Sequence, residues 1–312
     1  MKISENPLFT DTYSSLVDFT PDENSTFIYS LSSEKRSEIE LDWASTARNV
    51  NFIILKEEKD FLTFEGAGCS FSTSLRSVNK LTKFIGDLSP KNLYIDVTGM
   101  RHNMWAPLVR STLMTDKRLI CVYSEPQSYK FSEIRKEGKI FDLSERITGI
   151  APIPGFLNLR EVPDDKICFI PLLGFEGARF RYIYETEQPN AAVIPVIGAP
   201  GFQLDYPFYT MLGNKGVLEQ NQMWQDIRFA AAHCPFSALY LLESIFQDYP
   251  NYFFKIAPIG TKPHALAAVI FALKHDGSVE LIYDHPRPKT GRTEGQARVH
   301  IYNLSEYVDY SC

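Results

Sequence analysis

Two short stretches of this chain set small residues and a cation directly after an apolar run. They are Gly260-Thr261-Lys262 and Thr98-Gly99-Met100-Arg101. A glycine at such a turn lets backbone come close to a ligand. A helix that follows points its positive N-terminal end at the same spot, which favours an anion. Lys262 and Arg101 would then meet a phosphate or a similar group. The hydrolase phosphate loop, GxxxxGK[ST], is a different motif. Lys255 stands where its first glycine belongs, and Thr261 precedes the lysine. Pro263 suits the first turn of a helix. The plainer reading is a tight strand-to-helix turn carrying a solvated lysine.

A third turn, Gly174-Phe175-Glu176-Gly177-Ala178-Arg179, also opens a helix. It lacks the GxGxxG spacing, and no acidic residue follows in the right context to hold a ribose. Glu176 and Arg179 are binding candidates here, although Glu176 also suits a helix N-terminus on electrostatic grounds alone. The loop "GAPGFQLDYPFYTMLGNKG" offers Asp205, Tyr206 and Asn214 as pocket residues, or is an ordered linker. The tetrapeptide Arg-x-Glu-Gly occurs twice, at Arg135/Glu137 and Arg292/Glu294, where a local structural role is favoured. Arg287, Lys289, Arg292 and Arg298 make the second copy basic, as a phosphate-facing lid or a partner surface.

Catalysis would need a nucleophile or general base converging with such a site. Glu176, Asp205 and His102 are the candidates. No GxSxG elbow is present. The six histidines show no metal-binding spacing. His233-Cys234 are neighbours in sequence, and adjacent residues do not face each other on a helix. The five cysteines form no CxxC pair. Cys121 and Cys168 sit in apolar runs and read as buried thiols of a reducing, cytoplasmic protein.

The elements that hold these turns repeat. Tyr94–Pro126 parallels Lys255–Pro286: Gly99 matches Gly260, Arg101 matches Lys262, Tyr123 matches Tyr283 and Pro126 matches Pro286. "RKEG" then mirrors "RTEG", and "IFDLSE" mirrors "IYNLSE", always about 160 residues apart. Upstream, each half opens with a short apolar strand, a small-residue turn, and a Glu and an Arg. Continuous apolar runs such as "NLYIDV", "RLICVY", "ICFIPLL" and "YFFKIAPI" fit strands buried on both faces of a parallel sheet. Amphipathic stretches between them fit crossover helices. The expected fold is α/β, with two internally duplicated Rossmann-like halves, a mostly parallel sheet and helices on both faces. Residues 1–23 form a lead segment, 24–150 the first half and 151–312 the second, with a helical insertion at about 206–248.

Net charge is −6 and the isoelectric point about 5.6, which disfavours broad capture of nucleic acid. No apolar run approaches the about 18 residues of a membrane span, and the first residues lack the apolar core of a signal peptide.

The strand, the Gly260-Thr261-Lys262-Pro263 turn and the helix "ALAAVIFAL" resemble the ligand-binding motif of CARF-type domains, with Thr98 and Gly99 as a weaker second copy. That resemblance implies a Rossmann-like sensor of a nucleotide ligand in prokaryotic antiviral defence. The ligand contacts it implies centre on Gly260, Thr261 and Lys262. The leading expectation is a sensor or accessory subunit that binds a nucleotide-like or phosphorylated ligand and acts through a protein partner, without cofactor or metal. A hydrolase or transferase acting on a nucleotide or sugar phosphate, and a purely structural subunit of a complex, are the alternatives.

Overall fold

The computed structural model describes residues 2–3, 9–39, 41–136, 139–187, 189, 192–220 and 222–311. Glu137 and Gly138 of the first Arg-x-Glu-Gly copy lie outside them. The fold is α/β. Its helices are α1 (Leu41–Thr46), α2 (Val78–Asp87), α3 (His102–Leu113), α4 (Gly177–Glu187), α5 (Tyr206–Gln220), α6 (Pro235–Asp248), α7 (Lys262–Lys274) and α8 (Leu304–Ser311). Among the described residues no helix is long and apolar enough to cross a membrane. The chain forms two compact units, Met1–Ser128 with Thr293–Cys312, and Tyr129–Arg292.

In the first unit, four parallel strands run in the order Arg118–Ser124, Asn92–Asp96, Ser25–Tyr29, Val50–Glu58. Arg118–Ser124, Asn92–Asp96 and Ser25–Tyr29 are buried along almost their whole length, as their apolar runs require, whereas Val50–Glu58 alternates between buried and more exposed positions. Phe27, Tyr94, Ile120 and Val122 share one cluster with Trp43 of α1. Antiparallel strands extend both edges. The hairpin Phe61–Gly66/Cys69–Ser74 continues from Val50–Glu58. Val299–Asn303 pairs with Arg118–Ser124, and Thr10–Tyr13 pairs in turn with Val299–Asn303. This sheet is therefore mixed rather than mostly parallel.

The second unit repeats the parallel order. Val279–Tyr283, Phe253–Pro258, Ile167–Leu173 and Val196–Gly198 lie side by side. Arg228–Ala230 adds a fifth parallel strand beyond them. Moving from Ile167–Leu173 outward uses α4 and α5, and returning to Phe253–Pro258 and Val279–Tyr283 uses α6 and α7. Right-handed crossovers in opposite directions put these two pairs on opposite faces. The packing agrees: α4 lies against α5, and α6 against α7. α7 is buried from Pro263 to Ala272, so its amphipathic stripe is absent, as expected for a helix covered all round. Residues such as Leu266 and Ile270 each contribute about 1.5–3 kcal/mol by leaving water.

The unit boundaries do not follow the halves at 24–150 and 151–312. Tyr129–Ile150 belongs to the second unit and Thr293–Cys312 to the first. The reason is hydrogen bonding at sheet edges. Val299–Asn303 fills the open edge of Arg118–Ser124 in register from Val299↔Ser124 to Asn303↔Ile120. Ser144–Ile147 pairs with Pro286–Pro288 in the second unit. The lead segment likewise joins the first sheet through Thr10–Tyr13.

Candidate functional site

The strand order reverses between Ser25–Tyr29 and Asn92–Asp96 in the first unit and between Ile167–Leu173 and Phe253–Pro258 in the second, the point where open α/β sheets place ligands. The glycines of the sequence motifs lie there, and each one faces backbone. A Cβ on Gly99 would stand 1.8 Å from the Ser30 carbonyl oxygen. One on Gly260 would stand 2.6 Å from the Leu173 oxygen, and one on Gly174 2.7 Å from the Ile259 oxygen. These glycines let neighbouring strand-end turns interlock. Their close approach is to the protein's own chain.

The accompanying threonines tie the same turns together. Thr98 is buried, and its hydroxyl accepts a hydrogen bond from the Ser124 amide at 2.9 Å. Thr261 caps α7 through the His264 amide and donates to the Ala232 carbonyl at 2.9 Å. Arg101 is half-exposed and holds Glu57 at 2.7 Å, while Asn103 donates to the other Glu57 oxygen. Burial raises the Glu57 carboxyl above its usual range, against the pull of Arg101. Lys262 opens α7, partly exposed.

A second feature recurs in both units. Arg36 lies over the Tyr123 ring at 5.6 Å, and Arg179 over the Tyr283 ring at 5.6 Å. Arg36 is buried, paired with Glu34 and donating to the Ser124 carbonyl. Arg179 donates twice to Asp284, at 2.7 and 2.6 Å, and to the Ile259 carbonyl at 3.3 Å. Burial alone would lower the Arg179 pKa, but the Asp284 hydrogen bonds and charge raise it overall. In each unit a guanidinium thus occupies the end of the sheet beside the interlocked turns.

Glu176 is committed to structure. Its carboxylate accepts from the Leu143 and Ser144 amides at 3.0 and 2.9 Å and from the Ser144 hydroxyl at 2.7 Å. Asn214 donates to the Gly174 and Thr210 carbonyls. Tyr206 packs among Phe141 and Phe175, and burial pushes its hydroxyl up to about 12. Asp205 is exposed in the turn before α5. His102, at the start of α3, is buried and belongs to the first unit, whereas Glu176 and Asp205 belong to the second. Arg292 ends the second unit, where its carbonyl accepts from the Lys130 amide. Lys289 is paired with Asp142 at 2.6 Å.

His264, in the first turn of α7, is fully buried. Its Nε2 lies 3.1 Å from the Ala231 carbonyl. A carbonyl only accepts, so Nε2 carries the proton and Nδ1 presents a lone pair. Among the described residues Nδ1 has no hydrogen-bond partner. Burial lowers the pKa of the ring from 6.5 to about 4. The unfolded ring therefore takes up a proton near pH 6.5 and the folded ring only near 4. Stability is full above that window and falls as pH drops through it, by about 3 kcal/mol at most. Urea midpoints at pH 7.5 and 4.5 should differ less in His264→Gln than in the native protein. Equal differences would exclude this source.

Sequence reasoning missed a buried chain in the first unit. The Thr12 hydroxyl meets His300 Nδ1 at 3.0 Å, and His300 Nε2 meets Glu125 at 2.6 Å. The three side chains belong to three strand ends that only the folded sheet brings together. All three are buried, and they join the Thr10–Tyr13 and Val299–Asn303 strands to the end of Arg118–Ser124. Cys234 is also occupied, accepting from the Ser237 amide at the start of α6 with its thiol raised by burial. Among the described residues no group of three or more His, Cys, Asp or Glu is placed to hold a metal ion. No protein-family model matches this chain, and no curated protein matches it.

Proposed function

We propose that this protein is a ligand-binding sensor or accessory subunit that takes a nucleotide-like or phosphorylated ligand at the start of α7 and acts through a protein partner. The observation that carries this reading is the first turn of α7. It lies at the reversal point of the second unit's sheet, opens with Lys262, and holds His264 with a buried, unshared lone pair on Nδ1. A helix N-terminus with a cation favours a phosphate, and the imidazole lone pair favours a hydroxyl or amino donor. A nucleotide carries both. In the first unit the corresponding Arg101 is engaged with Glu57. Glu176 is engaged with Leu143 and Ser144, which favours binding over hydrolysis.

We also infer that the two halves are Rossmann-like and arose by internal duplication. The shared strand order and the twin arginine-on-tyrosine contacts support this. A role in prokaryotic antiviral defence rests on the motif resemblance alone.

The test is isothermal titration with AMP, ADP and cyclic di- and oligoadenylates. At least one should bind, and Lys262→Ala should weaken it about tenfold or more, as the loss of a charge-assisted contact implies. Binding by none of them would overturn the proposal. Binding unchanged in Lys262→Ala would overturn the assigned site.

A further inference from the structure

α5 is apolar on two sides. Tyr206, Tyr209 and Leu212 turn inward, against the cluster that includes Phe141 and Phe175. Leu204, in the turn that leads into the helix, together with Phe208 and Met211, faces solvent, the three residues being 100%, 63% and 42% exposed. With Lys215 these residues are spaced four, three and four apart, the spacing of a seam between two helices. A helix with apolar residues on both sides is ordinarily covered on both.

We propose that this outer face of α5 is the seam of a symmetric dimer, packed antiparallel on α5 of a second copy of this chain. Charge selects both the partner and the direction. Asp205 is exposed at one end of the stripe, and Lys215 stands at the other, 3.9 Å from Glu219. A dyad between Phe208 and Met211 brings each Phe208 onto Met211 of the second copy, a favourable sulfur–aromatic contact. The same dyad brings each Asp205 beside Lys215 of the second copy. A parallel arrangement would set like charges together. The contact is isologous, as most homodimers are.

The area supports a modest affinity. Two side chains of α5 and one of the turn before it supply a few hundred Å², against about 800 Å² per partner in a stable complex. Trp224, Phe229 and Tyr240 are exposed by 57%, 54% and 55%, and they follow in the same inserted segment.

Sedimentation equilibrium of the full chain between about 1 and 100 μM should show a monomer–dimer equilibrium, the range expected for a seam of this size. Phe208→Glu should leave a monomer throughout, with an unchanged circular dichroism spectrum, because the side chain is exposed. Asp205→Lys and Lys215→Asp should each weaken the dimer about tenfold, and the double exchange should restore it. A native monomer across the range would overturn the proposal. So would a dimer that survives Phe208→Glu, or single exchanges that the double exchange fails to rescue.

Discussion

Replacing Asp284 by alanine is expected to destabilise the protein by about 3–5 kcal/mol, the cost of stranding one partner of a buried ion pair. Asp284 is fully buried, and both of its carboxylate oxygens accept from Arg179. Without it, a guanidinium that is 12% exposed keeps a carbonyl contact, a ring contact and the Glu176 carboxylate at 4.0 Å. The paired change Asp284→Leu with Arg179→Met removes both charges and should cost much less than the two single changes together. Urea unfolding of the four proteins gives the coupling. A loss below about 1 kcal/mol in Asp284→Ala would mean that water reaches Arg179 and that the pair behaves as a surface bridge.

Gly99→Ala is the second large effect. The added methyl would stand 1.8 Å from the Ser30 oxygen and 2.9 Å from its carbon, both backbone atoms. No side chain can swing away to admit it, so two strand-end turns must separate. The expected loss is about 3 kcal/mol, the upper part of the overpacking range. Gly260→Ala should follow the same course, since its methyl would meet the Leu172 and Leu173 oxygens at 2.9 and 2.6 Å. Gly86→Ala is the control. It lies inside α2 with only Thr115 Cγ2 near, at 3.8 Å, so it should be neutral or raise stability by about 0.5–1 kcal/mol. Thermal unfolding separates the two roles of the motif glycines. A stable Gly99→Ala would leave ligand approach, rather than turn packing, as the reason for that glycine.

The local elements were legible because their signals are local. "NLYIDV" and "RLICVY" are strands, and "ALAAVIFAL" and "CPFSALYLLESIF" are helices, as their apolar runs and periods imply. The turn character of Gly260-Thr261-Lys262 was legible for the same reason. Its use was not. Whether a glycine admits a ligand or a neighbouring carbonyl depends on what the adjacent strand end brings, and that strand end lies 87 residues away at Leu173. The matched pair Tyr123 and Tyr283 was visible as letters, but the arginine above each ring required the sheet.

The sequence alone determined an α/β chain with strand-to-helix turns at Gly99, Gly174 and Gly260, because hydrophobic period and turn chemistry act over a few residues. Tertiary structure decided the rest. It joined Val299–Asn303 to Arg118–Ser124 and linked Thr12, His300 and Glu125. It seated Arg179 on Asp284, buried His264, and left one side of α5 in water. Each of these depends on contacts between residues far apart in the chain, where edge hydrogen bonding and burial, rather than local preference, set the free energy.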